Sequence, residues 1–552
     1  MESRRHRTSG YAFFVAAGIL LSRIAGLIRE RIFAGYFGGT SMAAGVFRAG
    51  LRIPNFLQNL FGEGVLSASF IPVYSRLLAQ GDEALAGRVA GAIASILAVF
   101  ISAVVVLGVI LTPWIVELIV PGFEGEAREL TIRIVRILFP GVGILVLSAW
   151  CLGVLNSHRK FFLSYVAPVL WNAAMVAVMV ACGSRMSQTS LAEALAWGTV
   201  AGSMLQLLVQ VPFVFRHART LRLGFATSLP QVRTVIRNTG PAILSRGVVQ
   251  VSAYIDQLIA SYLRNGPGAV SILGYAQTIY LLPVSLFGMS VAAAELPQMS
   301  SAVGSEEEIA AGLRRRLAAG IRQVAFFIVP TVVGFILIGR NLVAALYQTG
   351  QFGAADSTYV WYALAGSTIG LVAITRGRIY NSAFYALHDT TTPLRFAVVR
   401  VALTAGLGYL LAFPFRPVIA WAIADLLRLP GPQAADAALV FGAVGLTASA
   451  GIAGWVEYLL LRGAMERRIG KCRIEPAYSA RLWCSALAAG FLSLAALRFL
   501  LPVFHGIPLV RASWQPALDG CGALAFFGAV YLPATVILGV EEARHLLRMK
   551  NR

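Results

Sequence analysis

The sequence predicts an all-α polytopic membrane protein of about 14 transmembrane helices, each needing roughly 20 residues to cross a bilayer. Three observations support this fold class. The 552-residue chain is 58% hydrophobic and only 13% charged, which is typical of a membrane protein and not of a soluble globule. Long apolar runs follow one another along the whole chain. The net charge of +21 falls in short segments between these runs, where it favours contact with anionic lipid over nucleic-acid binding.

The apolar runs form two sets of predicted spans and a final pair. The first set covers residues 11–37, 41–60, 89–111, 134–155, 161–181 and 191–215. The second set covers residues 239–263, 270–296, 321–338, 359–387, 394–413 and 438–461, and the final pair covers 482–501 and 517–540. The first run is interpreted as a retained helix, because Arg23 interrupts it and no small-residue cleavage site follows. The second is expected to continue toward Tyr74 as a bent helix, since Pro54 and the glycines of 61–64 break it.

The loops alternate in charge along the chain. Arginines precede the first span and follow the second, whereas the loop after the third span (residues 113–130) is acidic. The positive-inside rule then places both termini in the cytoplasm, and an even number of spans agrees with this.

An internal repeat divides the chain. Residues 30–37 match residues 256–263 at an offset of 226, and the same offset places 61–62 on 287–288. Because six predicted spans separate the copies, the repeats share one orientation in the membrane. We therefore expect an N-terminal six-helix lobe (1–222), a C-terminal six-helix lobe (223–470), and two additional helices with a basic tail (471–552).

The stretch 22–75 carries the charges that suggest a function. Helical spacing places Arg23, Gly26, Arg29 and Glu30 within about a third of the first helix's circumference. Gly26 permits close approach of another helix or a ligand. A second polar stripe follows on the next span: Arg48, Arg52, Asn55, Asn59 and Glu63. Charged residues at membrane depth indicate a wet cavity or an anionic partner.

The choice of arginine points to phosphate. A guanidinium stays charged and offers a planar fork to phosphate oxygens, so several suit a pyrophosphate. Glu30 is expected to hold Arg29 in place. Arg246, which opens the second repeat, is a further candidate for the same cavity, and Asp256 and Gln257 lie in its span. The alternative is an internal Arg–Glu network with a purely structural role.

Motifs for catalysis and for cofactors are lacking in the sequence. It contains no phosphate-binding P-loop, no HExxH and no defensible Ser/His/Asp spacing. The adjacent His388 and Asp389 fit a loop turn better than a catalytic pair. The five cysteines show no paired spacing, so no metal or disulfide framework is expected. We expect a transporter without a cofactor, driven by an ion gradient or the membrane potential.

Several motifs resemble one family over almost the whole chain. These are residues 22–38, 54–75, 240–244, 347–352 and 386–395, which look like the MurJ/MviN family of lipid II flippases. The resemblance implies fourteen helices, with two lobes around a V-shaped central cavity and two further helices bearing a groove for a lipid tail. It also implies substrate-binding roles for four residues by motif: Arg23, Arg29, Glu30 and Glu63.

This chain departs from the family pattern at three places. Gly45 stands where many members carry an acidic residue, and Gln58 stands where some carry an arginine. Residues 275–278 read YAQT, where the family often has YADR. The missing charge is then expected from other arginines: Arg48, Arg52 and Arg246.

The expected function is to flip lipid II, the undecaprenyl-pyrophosphate-linked disaccharide-pentapeptide, across the bacterial inner membrane by alternating access. Two alternatives stay open. One is an exporter of another lipid-linked oligosaccharide or of drugs in the same superfamily. The other is a non-transporting scaffold for cell-wall synthesis proteins. Membrane lipids are expected partners in each case.

Overall fold

A computed structural model of the protein describes residues 2–300, 305–472, 474–500 and 514–544. Within these ranges, the side chains of 2–17, 19, 63, 161–162, 164–165, 241–242 and 244–253 are not described. The described residues form helices joined by loops, with one isolated β-bridge between Thr349 and Phe352. This confirms the predicted all-α class.

The chain forms two compact units, Met1–Tyr262 and Leu263–Arg552. In the described part of the first unit, the helices are α1 (Glu2–Phe37), α2 (Met42–Phe61), α3 (Glu63–Ser69), α4 (Ile71–Ala79), α5 (Glu83–Ile119), α6 (Gly125–Ser157), α7 (Phe161–Cys182), α8 (Gln188–His217) and α9 (Pro230–Ser261). The most extensive packing joins α6 to α8, α7 to α8, and α1 to α7. The lobe boundaries predicted at 222/223 and 470/471 stay predictions.

The described residues of the second unit also form helices joined by loops. Its helices are α10 (Gly266–Ser300), α11 (Glu306–Leu337), α12 (Gly339–Tyr347), α13 (Ala354–Thr368), α14 (Leu371–Ala386), α15 (Thr391–Ala412), α16 (Arg416–Trp421), α17 (Ala437–Ile469), α18 (Pro476–Leu500) and α19 (Gln515–Ile537). Helix α17 packs on α13, α14 and α15. Helices α18 and α19 pack together and share a core with α11 that includes Phe326, Leu482 and Tyr531.

Many of these helices have the length and composition of membrane spans. Nine in the described residues do so, or ten if α13 and α14, bent by 45°, form one broken span. Helix α5 shows the lipid-facing character best, because Val106, Ile110 and Leu118 are each more than half exposed and such a surface suits hydrocarbon. Helix α2 is not among the nine, since its arginines and its amide side chains together lower its hydropathy. The total of about 14 helices, the repeats and the V-shaped cavity stay predictions.

The second predicted span is broken at its glycines, as expected, but the expected break at Pro54 is wrong, because Pro54 lies inside a continuous helix. Helix α2 runs through Pro54 and ends at Gly62, where ψ is −144°. The Gly62 amide donates to the Gln58 carbonyl at 2.7 Å, and a Cβ at Gly62 would lie 2.3 Å from that oxygen. No other residue fits there without a backbone shift, so glycine sets the break. Helices α3 and α4 then continue to Ala79.

The bend between α13 and α14 was not predicted, because residues 359–387 were expected to form one span. A Cβ at Gly370 would lie 2.5 Å from the Gly451 Cα of α17. Two glycines therefore let the bent segment lie directly against the α17 backbone. Hydropathy does not signal this bend, because it depends on a contact between helices distant in sequence.

Candidate functional site

A buried ion triad joins the first two helices. Glu30 Oε1 accepts from Arg29 Nη2 at 2.6 Å, and Glu30 Oε2 accepts from Arg48 Nη2 at 2.6 Å. Glu30 is only 9% exposed. Both bonds are charge-assisted and short. The expected Arg29–Glu30 pairing is confirmed, and Arg48 completes a group that holds two positive charges and one negative.

Aromatic side chains enclose the triad. The Arg29 guanidinium lies 5.1 Å from the centre of the Trp171 ring, and its Nη1 lies 3.9 Å from the Met175 sulfur, both on α7. The Arg48 guanidinium lies 5.0 Å from the centre of the Phe33 ring. Such cation–π contacts stabilise a planar guanidinium more than an ammonium. The surroundings therefore hold both arginines in one orientation toward Glu30.

Arg52 stands one helical turn after Arg48 and contacts a different helix. Its Nη1 donates to Gln257 Oε1 on α9 at 3.4 Å, and the Tyr254 hydroxyl donates to the Arg52 carbonyl at 2.8 Å. Asp256 is close enough to interact with the guanidinium electrostatically. The predicted stripe on α2 therefore divides, because Arg48 faces α1 and Arg52 faces α9.

Of the remaining predicted site residues, Arg23 and Gly26 lie outside this network in the part of the chain that the structure describes. Arg23 is exposed, and space around Gly26 is open, so no close helix contact depends on that glycine. The side chains of Glu63 and Arg246 lie outside the described residues. Their binding roles, like those of the triad residues and Arg52, stay predictions.

Asp389 has a structural role. Its carboxylate accepts from the Thr391 and Thr392 amides at 3.0 and 2.9 Å, from the Thr392 hydroxyl at 2.7 Å, and from Arg468 at 2.5 Å. These donors, Thr392 first, hold the pKa of the Asp389 carboxyl well below its usual range. The carboxylate therefore satisfies the first amides of α15 and links this helix to the end of α17. This agrees with the prediction that His388 and Asp389 lie in a loop turn.

A second cluster of arginines in the second unit escaped the sequence analysis. Arg400 Nη1 lies 3.2 Å from Glu457 Oε2, and Arg378 is near enough to both for electrostatic interaction. Among the described residues, no hydrogen-bond partner is found for the buried Arg378 Nε or the Tyr280 hydroxyl. The signal was present, because Arg378 interrupts the apolar run 359–387. A charged side chain within a membrane span is costly, so Arg378 could have been selected on the same ground as the arginines of the first two spans.

Comparison with known proteins gives a consistent result. The family model described as lipid II flippase MurJ matches residues 33–427. The lipid II flippase MurJ of Burkholderia cenocepacia is 30% identical over 547 residues, 97% of this chain and 98% of that protein. The probable lipid II flippase MurJ of Rickettsia prowazekii is 28% identical over 93% of this chain and 95% of that protein.

Solved structures share the fold. A lipid II flippase MurJ in an inward closed conformation has a TM-score of 0.74 and 20% identity, covering 97% of this chain and 100% of that chain. An inward-facing multidrug resistance MATE transporter has a TM-score of 0.61 and 17% identity, covering 81% and 95%. The family model and the full-length relative at 30% identity are the decisive matches. This chain therefore belongs to the lipid II flippase MurJ family.

Proposed function

We propose that this protein carries lipid II from the inner to the outer leaflet of the bacterial inner membrane by alternating access, and that it catalyses no chemical reaction. Family membership supports the substrate, and the apolar helices support a multi-pass inner membrane protein. The observation that carries the proposal is the set of partly buried arginines in the first unit: Arg29, Arg48 and Arg52. Their excess positive charge suits a pyrophosphate.

The arginines act by differential binding. We propose that Arg23, Arg29 and Arg52 jointly bind the pyrophosphate, while Glu30 balances part of the charge when no substrate is present. Excess positive charge favours a wet, open state. The anionic head group offsets that charge, which favours a closed conformer only to the extent that it binds this conformer better. Glu63 and Arg246 are proposed as further contacts.

The lipid tail stays in the bilayer while the head group crosses. Moving the tail into water would cost about 0.8 kcal/mol per methylene group, which excludes a route that encloses the entire lipid in water. The sugar-peptide head group needs a polar path through the protein. Coupling to an ion gradient or to the membrane potential is proposed as the energy source.

Complementation tests the function directly. Expression of this chain in cells depleted of their own lipid II flippase should restore growth and cell shape. Accumulation of lipid II in the inner leaflet should cease, measured by its accessibility to an externally added degrading enzyme. A correctly inserted protein that does not complement would instead favour a scaffold or an exporter of another substrate. Drug exporters that take cations are disfavoured by the sign of the charge.

The proposed topology places both termini in the cytoplasm. Glu124 is exposed at the end of the loop between α5 and α6, so a cysteine at Glu124 should react with a membrane-impermeant maleimide added outside the cell. The test needs a background without the exposed Cys484 and Cys521. A cysteine at His217 is the control. This residue ends α8 in the same unit, on the side that the proposed topology places in the cytoplasm, so the cysteine should react only after permeabilisation. Labelling in the reverse pattern would invert the topology.

A further inference from the structure

A polar cavity of about 440 Å³ lies inside the first unit. It is lined by residues of α2, α3, α6, α7 and α8, and the polar side chains described among them are Gln58, Asn59, Ser67, Ser148 and Gln206. Ligand pockets in proteins occupy roughly 300–1,000 Å³. The cavity is therefore large enough for part of a substrate, and it shares no lining residue with the ion triad.

A hydrogen-bonded chain sets the orientation of one wall. Gln206 Nε2 donates to Ser148 Oγ at 2.9 Å, and the Ser148 hydroxyl donates to Gln210 Oε1 at 2.7 Å. Gln210 is fully buried and Gln206 is 9% exposed. Ser148 donates its only hydroxyl proton to Gln210, so its oxygen can only accept from Gln206. Gln206 therefore uses its amide nitrogen for this hydrogen bond. The Gln206 carbonyl oxygen is then left to accept a hydrogen bond from a ligand.

The polar lining residues of α2 and α3 have unused hydrogen-bonding capacity. The side chains of Gln58, Asn59 and Ser67 make no hydrogen bond to any other residue that the structure describes. Polar groups at membrane depth are costly unless a ligand, water or another side chain satisfies them. Asn59 is also exposed, so the cavity is open to an incoming group on that side.

The chemistry of the lining selects a neutral ligand. None of the lining side chains that the structure describes carries a charge, so none of them offers an ion pair to a pyrophosphate or to a cation. Amides and hydroxyls both donate and accept, which matches the hydroxyl and acetamido groups of a sugar. Asn59 follows Arg52 by seven residues on α2, which is about 10 Å along the helix. A sugar joined directly to a pyrophosphate at Arg52 can bridge that span.

We infer that this cavity binds the neutral saccharide part of the lipid-linked substrate, next to the arginines that hold its pyrophosphate. The inference rests on the proposed function. It adds a second recognition element, because the arginines select the charge and the amide-lined cavity selects the sugar. Lipids that carry the pyrophosphate but no sugar would engage only the first element.

The test compares two ligands that differ only in the head group beyond the pyrophosphate. Binding of lipid II and of undecaprenyl pyrophosphate to the purified full chain is measured in nanodiscs. Gln206→Leu should weaken lipid II binding by about tenfold, the net value of a lost hydrogen bond or two, and leave undecaprenyl pyrophosphate binding unchanged. Asn59→Ala, at an exposed position that folding tolerates, should act in the same direction.

A buried polar residue elsewhere on α8 is the matched control. Thr199 is 3% exposed, and its hydroxyl donates only to the Leu195 carbonyl of its own helix. Thr199→Val should therefore leave the binding of both ligands unchanged.

Three outcomes would overturn the inference. If Gln206→Leu weakened the binding of both ligands equally, Gln206 would have a structural role and not a role in recognising the sugar. If Gln206→Leu and Asn59→Ala both bound lipid II as tightly as the unmodified protein, the cavity would not take part in binding the sugar. If the unmodified protein bound neither ligand, the proposed function would fail as well, whereas the first two outcomes leave that function intact.

Discussion

Glu30→Gln should abolish transport and destabilise the first unit. Glu30 is the shared partner of Arg29 and Arg48, each at 2.6 Å. Without its charge, two guanidinium groups face each other at membrane depth with no counter-ion in the triad. Breaking a buried ion pair by removing one partner costs about 3–5 kcal/mol. We expect a clear fall in the thermal unfolding midpoint of the purified protein, together with failure to complement.

An exposed ion pair provides the matched control. Glu193 accepts from Arg133 at the same 2.6 Å, but the two side chains are 37% and 50% exposed. Surface pairs contribute about 0–1 kcal/mol, so Glu193→Gln should leave the midpoint and transport nearly unchanged. The comparison separates the effect of burial from the effect of pairing.

A double variant tests the charge balance itself. Glu30→Gln with Arg48→Gln restores one net positive charge in the triad, so it should recover most of the lost stability. Equal instability of the single and double variants would show that the shape of the Glu30 side chain, and not its charge, stabilises the helix pair. A stable and fully active Glu30→Gln variant would contradict the whole interpretation.

Arg52→Ala should abolish transport with a smaller effect on stability. Its guanidinium donates to Gln257 at 3.4 Å and interacts electrostatically with Asp256, so a pyrophosphate competes with these two neighbours for the guanidinium. Loss of a charged contact made to a pyrophosphate should reduce binding of undecaprenyl pyrophosphate and of lipid II alike, by about 100-fold for roughly 2.7 kcal/mol. Arg52→Lys should recover only part of this, because an ammonium lacks the bidentate fork.

Two substitutions on α9 separate substrate binding from helix packing. Gln257→Met and Tyr254→Phe remove hydrogen bonds between Arg52 and α9 and leave the charge of Arg52 in place. Both variants should bind undecaprenyl pyrophosphate nearly normally. If they lose transport as completely as Arg52→Ala, then Arg52 acts by joining α2 to α9. Normal transport by Arg52→Ala would exclude a role for Arg52 both in substrate binding and in joining α2 to α9.

Arg23 offers a comparison at an exposed position of the same predicted site. Because its side chain is exposed, Arg23→Ala removes charge without leaving a buried group unpaired. We expect this variant to fold like the unmodified chain and to lose transport through weaker substrate binding. It therefore reports on binding without the loss of stability expected for Glu30.

The second arginine cluster shows how far sequence reasoning reaches. Arg378 interrupts an apolar run just as Arg29 does, so the cost of charge in a membrane marks both positions. The sequence does not show that Arg400 and Glu457 meet near Arg378, since these residues come from three helices. Pairing across helices depends on packing, which hydropathy does not encode.

Local properties of the chain determined the fold class and most helix positions, because apolar length and the placement of arginine follow directly from the cost of charge in lipid. The Gly62 break was likewise predictable, since glycine is the residue that such a backbone accepts. The tertiary structure alone decided that Arg48 completes the Glu30 triad and that Arg52 contacts α9. It also decided that Ser148, Gln206 and Asn59 line one cavity. Those choices depend on how helices distant in sequence pack, where a rotation of a few tens of degrees changes which neighbour a side chain meets.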